Sequence, residues 1–236
     1  MNNRTITIGC TCLLSLAFFF APQVKAEVND YICGSLRNAY GPFDYRSDKK
    51  ELDLVEAYHF TPEVANLVSG ANGYLGGDLD YTLRAFPNHP GALMAMVRFA
   101  EREKTDKPSH AHYTVECYLY RALRFRPDDG MVRMIYATYL AKKGRNTEAL
   151  KQLNDAVALG ESSANLYYNI GLVYFGLKDY DNALTNAQKA YQMGFPLPGL
   201  REKLRKIGKW QESKITGDNT QPPENEASGA KATKPE

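Results

Sequence analysis

Residues 167–190 read YYNIGLVYFGLKDYDNALTNAQKA, and this stretch decides the fold. A short polar break at Lys178 and Asp179 separates two runs of apolar residues with helical spacing. The residues that share a face are Tyr167, Ile170, Gly171 and Tyr174 in the first run and Ala183, Ala187 and Ala190 in the second. Because small residues let two helix axes approach closely, the stretch predicts two antiparallel helices packed along a small-residue seam.

The same seam recurs upstream at a fixed interval. Ala149 precedes Ala183 by 34 residues, and the pairs that repeat this interval are Ala156 with Ala190 and Ala137 with Gly171. A period of this length, made of two helices, is typical of proteins that stack one helical unit on the next. We therefore predict an all-α fold: an α-solenoid of stacked helix-turn-helix repeats with a C-terminal capping helix.

Residues 167–190 resemble a tetratricopeptide repeat almost residue for residue. The family's characteristic residues fall on Tyr167, on the pair Ile170 and Gly171, on Tyr174, and on the second-helix alanines Ala183 and Ala190. The copy before it departs from the family pattern, with Arg133 in place of the first-helix aromatic and Ala137 in place of the glycine. The resemblance implies a protein that binds a peptide or another protein rather than catalysing a reaction.

The sequence suggests five segments. The predicted boundaries are a signal peptide over 1–26, an N-terminal segment of unknown role over 27–60, a degenerate repeat over 61–89, a repeat domain over 90–210 and a disordered tail over 211–236. Within the repeat domain, the copies span 90–129, 130–163 and 164–197, and a capping helix covers 198–210. The polar stretch 104–110 is interpreted as a lengthened turn inside the first of these copies.

The first 26 residues have the pattern of an export signal. Arg4 provides a positive start, residues 5–20 are apolar, and Val24 and Ala26 are small residues at the cleavage positions. We predict cleavage after Ala26 and a periplasmic location. Retention of the segment as an anchor, or lipidation at Cys10, is the alternative, and only then do we expect association with a membrane.

Charge argues against nucleic acid as a partner. The first 26 residues hold two of the 29 basic residues and no acid, so the remainder balances 27 bases against 27 acids. A nucleic-acid-binding protein normally carries a basic surplus on one face. The hydrophobic content of 44% suits a globular chain, whereas 211–236 has almost no large apolar residue, which predicts the disordered tail.

Two cysteines remain after the predicted cleavage, Cys33 and Cys117. Export would place them where disulfides form, and a bond between them would tie the N-terminal segment to the repeats. Two buried free thiols are the other interpretation, and the sequence leaves both open. Other cysteine chemistry lacks its motif, because the chain has no C-x-x-C.

Resemblance to the family also implies a binding groove lined by the first helix of each repeat. Counting along each copy assigns to it Met94, Arg98, Arg102, Met134, Thr138, Lys142, Tyr168, Leu172 and Phe175. Such a groove would have an apolar, methionine- and aromatic-rich floor and a basic edge, which suits a peptide with apolar anchors and an acidic flank. Contact of some of these residues with the N-terminal segment or the tail is the alternative.

Catalytic and metal-binding patterns are weak. The four histidines are His59, His89, His110 and His112, and a pair at i, i+2 does not share a helical face. Asp78 and Asp80 are more simply interpreted as acids at a helix start. We therefore predict no catalytic residue, no metal and no cofactor.

These observations favour a scaffold for a protein or peptide partner within a cell-envelope assembly. The rival hypothesis is a small ligand-binding or catalytic module in residues 27–60, centred on Cys33, with the repeats as its support. Self-association through the groove is a third interpretation.

Overall fold

The computed structural model describes residues 33–160 and 163–212. Over these residues it contains ten helices and no strand, so the predicted all-α, helical-repeat fold is confirmed. The predicted signal peptide, residues 27–32 and residues 213–236 lie outside the described residues. The chain divides into two compact units, one ending at Phe125 (the N-terminal unit) and one beginning at Arg126 (the C-terminal unit).

Five helices form the N-terminal unit. They are α1 (Lys49–His59), α2 (Pro62–Ala65), α3 (Leu75–Ala85), α4 (Pro90–Glu103) and α5 (Val115–Phe125). Helix α1 packs on α3, α3 on α4, and α4 on α5. The core of this unit is therefore built by helices that follow one another along the chain.

The predicted degenerate repeat over 61–89 contains a short first helix, α2, and the longer α3. Its first half contains only the single turn α2, which is followed by Leu67 with a left-handed φ of 62°. The longer helix that packs on α3 is α1, which belongs to the segment previously without an assigned structure. Buried Leu52 and Val55 of α1 form one hydrophobic cluster with Ala85 and Phe86, and partly buried aromatics pack against it.

A long connection joins α4 to α5, as the polar composition of 104–110 indicates. Lys104 ends α4 in the left-handed region, with φ of 54°. The connection is ordered by its own hydrogen bonds: Ser109 N donates to Glu103 Oε2 at 2.7 Å, and Val115 N donates to Asp106 O at 2.9 Å. It is therefore a defined loop in the structure.

The C-terminal unit also contains five helices. They are α6 (Gly130–Lys142), α7 (Asn146–Ala158), α8 (Ala164–Gly176), α9 (Tyr180–Gln192) and α10 (Gly199–Lys206). Helices α6 and α7 pair, α8 and α9 pair, and α6 packs on α8. Asp129, Ser163 and Asp179 cap the starts of α6, α8 and α9 through their side-chain oxygens.

Small residues form the interior of these pairs. Ala149, Ala156, Ala183 and Ala190 are each at most 1% exposed. A Cβ added to Gly171 would lie 2.6 Å from Leu200 Cδ2 of α10, so a larger residue there requires the Leu200 side chain or the capping helix to shift. Leu200 and Leu204 are fully buried, which is how α10 covers the last repeat.

Two residues of the predicted tail belong to this cap. Gln211 O accepts a hydrogen bond from Gln188 Nε2 at 2.8 Å, and Glu212 Oε1 accepts one from Trp210 Nε1 at 2.8 Å. The packed structure therefore extends to Glu212, slightly beyond the predicted boundary. Among the described residues, no helix combines the length and the apolar character needed to cross a bilayer.

Candidate protein-interaction surfaces

In the C-terminal unit, the outer face of the first helices α6 and α8 is the candidate binding surface. Thr138 and Leu172 occupy the same step of two successive repeats, on helices that pack against each other. Leu172 and Phe175 are half-buried and Lys142 is exposed. These four residues, Thr138, Lys142, Leu172 and Phe175, are called the first-helix surface below.

Met134 and Tyr168 do not belong to this surface, which corrects the predicted groove floor. Their exposed fractions are 4% and 9%. Tyr168 stacks on Phe195, with 4.0 Å between ring centroids, and a Cβ on Gly199 would lie 3.0 Å from its hydroxyl. The chain between α9 and α10 folds back over α8, so Tyr168 is part of the cap interface.

A basic residue missed by the sequence analysis adjoins the first-helix surface. The Lys203 ammonium group lies 5.8 Å from the ring centroid of Phe175. Lys203 belongs to the capping helix α10. Phe175 therefore has a cationic neighbour from outside the first helices.

In the N-terminal unit, the predicted groove residues Arg98 and Arg102 have other partners. Arg98 Nη2 donates to Ala65 O at 2.8 Å, and Arg102 Nη1 donates to Leu67 O at 2.5 Å. Both guanidinium groups thus bind backbone carbonyls around the turn that follows α2, while Met94 is half-buried on the same helix. The arginines hold this turn on α4, and their acceptors lie in the predicted 61–89 segment rather than in the N-terminal segment or the tail.

A disulfide joins Cys33 to Cys117, with an Sγ–Sγ distance of 2.09 Å. Beside it, Arg121 is 2% exposed and donates from Nη1 to Cys33 O at 3.0 Å and to Ser35 O at 2.7 Å. Its guanidinium carbon lies 4.5 Å from the ring centroid of Tyr113, and burial lowers its pKa. This cluster fixes the start of the described chain to α5.

The rival hypothesis of a reactive Cys33 loses its nucleophile in this arrangement. Cys33 is 5% exposed and bonded to Cys117. A thiolate is required for nucleophilic attack, and a disulfide has none to offer. Alkylation of the intact protein tests this point: rapid modification of Cys33 without reductant would restore the rival hypothesis.

Asp78 and Asp80 each accept hydrogen bonds from other residues and do not form a carboxylate pair. Asp78 accepts hydrogen bonds from Ala71 N and His59 Nδ1, each at 2.8 Å. Asp80 accepts from the hydroxyl of Tyr118 and from Arg84 Nε. Burial first, and the Asp80 charge second, raise the pKa of Tyr118, so the phenol stays protonated and donates.

His89 is a buried helix cap. Its Nδ1 accepts a hydrogen bond from Ala92 N at 3.1 Å, so its Nε2 carries the hydrogen and donates to Glu56 Oε1 at 3.0 Å. Burial lowers the pKa of His89 to about 4 and also raises that of Glu56, with nearby Asp53 as a second cause. The neutral imidazole therefore caps the start of α4 and fixes the position of the Glu56 carboxylate by a hydrogen bond.

Within the described ranges, no group of three or more His, Cys, Asp or Glu is arranged to hold a metal ion.

Comparison with known proteins agrees with the fold. Residues 140–178 match the family model described as TPR repeat, which covers the end of α6, all of α7 and all of α8. No curated protein matches the chain. The chain is therefore a helical-repeat protein, and residues 140–178 of its C-terminal unit are similar to a tetratricopeptide repeat. Repeats of this family generally mediate protein–protein interaction, and the family is typically non-catalytic.

Proposed function

We propose that this protein is a scaffold that binds a peptide segment of a partner protein on the first-helix surface of the C-terminal unit. The observation that carries the proposal is the family match itself, which lies on the helices that present this surface. Leu172 and Phe175 provide apolar contacts, Lys203 lies against Phe175, and Lys142 is exposed at the end of α6. A segment with apolar anchors and an acidic flank has the complementary chemistry.

The proposed location is the periplasm, and the proposed partner is a component of a cell-envelope assembly. Support comes from the signal pattern over 1–26 and from the Cys33–Cys117 bond, because disulfides persist mainly in oxidising compartments. Candidate assemblies are those for secretion, pilus formation, polysaccharide export or cytochrome maturation. Sequencing the N-terminus of the protein from a periplasmic extract tests the location, and a mature start at Glu27 is the expected result.

Partner binding is tested by purifying the tagged full chain from crosslinked cells. Lys142→Glu reverses an exposed charge, and Leu172→Asp places a charge at a half-buried apolar position of the surface; each should reduce partner recovery by about tenfold. Leu159→Asp is the matched control, because Leu159 is 38% exposed and lies at the end of α7. Full recovery with both test variants, at unchanged melting temperature, would contradict the proposed surface.

Self-association is separated from partner binding by the mass of the protein in solution. If α6 and α8 bind a second copy, the wild-type mass is that of an oligomer and Leu172→Asp returns it to that of a monomer. A monomeric wild type that still recovers its partner assigns the surface to the partner alone.

A further inference from the structure

A second surface lies in the N-terminal unit, along α1. A pocket of about 590 Å³ is lined by Asp53, Glu56, Ala57, Phe60, Pro62 and Ala65. An adjoining pocket of about 300 Å³ shares Ala57 and also contains Tyr58 and Glu63. We call the first of these the α1 pocket. It lies outside the residues that match the family model and outside the first-helix surface.

The floor of the α1 pocket is held in place by the core beneath it. The ring of Phe60 packs edge-on against His89, with 4.6 Å between centroids, and a Cβ on Gly91 would lie 3.0 Å from Phe60 Cε1. Glu56 is oriented by the hydrogen bond from His89 Nε2 at 3.0 Å. Since His89 is 2% exposed and caps α4, the carboxylate of Glu56 is held by a rigid group.

The ionisable side chains that line the pocket, Asp53 and Glu56, are both acidic, and Arg98 lies at its edge, hydrogen-bonded to Ala65 O. Burial and the nearby charge of Asp53 raise the pKa of Glu56, while Lys49 opposes the shift as the smallest of the three contributions. The group that binds Glu56 in the structure is the neutral imidazole of His89, which supplies a hydrogen bond and no charge. A bound cation would relieve the repulsion between Glu56 and Asp53.

Apolar side chains line the pocket beside the two acids and remain at least partly exposed. Phe60 and Ala65 are half-buried, and Pro62 is exposed. Exposed apolar residues that adjoin a pocket are typical of interaction surfaces. The occupant must therefore combine a positive charge with a neighbouring apolar group.

We propose that the α1 pocket binds an arginine side chain of a partner protein, with an adjacent apolar residue of the same segment on Pro62 and Ala65. A guanidinium group is planar, binds carboxylates through paired N–H groups and stacks on aromatic rings, so one arginine matches Glu56, Asp53 and the face of Phe60 together. A lysine supplies the charge, but it has neither the paired N–H groups nor a planar group that stacks on an aromatic ring. The pocket thus selects arginine over lysine.

The test uses the intact full-length protein and the synthetic peptide acetyl-Gly-Leu-Arg-Leu-Gly-amide, with binding followed by NMR shifts of the protein. The neutral isostere with citrulline in place of arginine should bind about tenfold more weakly, and the lysine peptide should fall between the two. Equal affinity for the arginine and citrulline peptides would overturn the proposal. Absence of saturable binding would overturn it as well.

Variants of the pocket locate the contact. Glu56→Gln keeps the acceptor for His89 and removes the charge, so it should weaken the arginine peptide about tenfold; exposed Asp53→Asn should weaken it only about threefold, because exposed ion pairs contribute little. Glu51→Gln is the matched control on the same helix, outside the pocket lining, and should leave affinity unchanged. Equal effects of Glu51→Gln and Glu56→Gln would indicate general attraction to an acidic helix and refute the site.

The arginine-binding proposal and the proposed scaffold function can each be refuted without refuting the other. The peptide measurement involves only the N-terminal unit, whereas Lys142→Glu and Leu172→Asp change the C-terminal unit. Partner recovery that depends on Leu172 while the peptide does not bind would leave the scaffold proposal intact and remove the α1 pocket.

Discussion

The two units stack helices by different means. In the C-terminal unit, alanines and one glycine spaced 34 residues apart bring helix pairs together, and the same interface is used more than once. In the N-terminal unit, single long-range contacts do this work: the Cys33–Cys117 bond, the carbonyls held by Arg121, the Asp80–Tyr118 hydrogen bond and the His89–Glu56 pair. Where one helix interface is repeated, we expect a single substitution to have a small effect on stability. Where helices are joined by individual contacts, we expect the loss of any one contact to lower stability.

The largest effect is expected from the disulfide. Replacing Cys33 and Cys117 together by alanine should lower the stability of the N-terminal unit by about 4–5 kcal/mol, because the bond closes a long loop in the unfolded chain. Urea unfolding followed by circular dichroism measures this loss. Trp210 is the one tryptophan of the chain and reports on the C-terminal unit alone. The urea midpoint followed by Trp210 fluorescence should therefore stay unchanged. A shift equal to the one seen by circular dichroism would show that the two units unfold together.

The next effect concerns pH and His89. The folded-state pKa of about 4 lies below the usual 6.5, so between these values the unfolded chain binds the proton and the folded chain does not. Stability should therefore fall by about 3 kcal/mol as pH drops from 6.5 to 4. The raised pKa of Glu56 opposes this loss, because protonation of that group favours the folded state.

His89→Asn checks this assignment. Asparagine keeps a capping acceptor for Ala92 N and does not titrate. Unfolding measured across the same pH range should then show a flatter dependence than in the wild type. A slope equal to that of the wild type would mean that other groups cause the acid sensitivity.

A smaller effect is expected within the repeat seam. Gly171→Val should cost about 2 kcal/mol, because the added atoms collide with Leu200 of α10. Trp210 fluorescence during thermal unfolding measures the change. Gly176→Val is the matched control in the same helix, since a Cβ there has nothing within 4 Å. Similar losses in both variants would point to helix propensity rather than to the packing of the cap.

The smallest effect comes from one hydroxyl. Tyr118→Phe removes the donor to Asp80 and should cost about 1–2 kcal/mol in the N-terminal unit, measured by urea unfolding. Tyr74→Phe, at a residue 68% exposed, should change stability by less than about 0.5 kcal/mol. No difference between the two variants would mean that Arg84 and water satisfy Asp80 after the change.

Residues 164–192 were predictable because their information is local. Apolar spacing marks α8 and α9, Asp179 caps α9, and Gly171 falls where the helices cross. Helix α1 was missed although Leu52 and Val55 are three residues apart, because turn formers and aromatics dominate the residues before it and no repeat copy marks it. Its existence as a packed helix depends on Ala85 and Phe86, which lie far along the chain.

The predicted binding residues show the same limit. Thr138, Lys142, Leu172 and Phe175 remain at least partly exposed. The position of a residue in the repeat predicts the direction of its side chain but not which later segment covers it, as Tyr168 shows. For Tyr168 the covering residues are Phe195 and Gly199.

The amino-acid sequence alone was sufficient to predict the helical class, the 34-residue period and the capping helix. Each of these depends on the spacing of apolar residues, which is visible in residues that are close together in the chain. Tertiary structure decided which cysteines pair, which arginines bind backbone and where the α1 pocket opens. These features join residues tens of positions apart, and only the packed helices bring such residues within the few ångströms over which bonds and charges act.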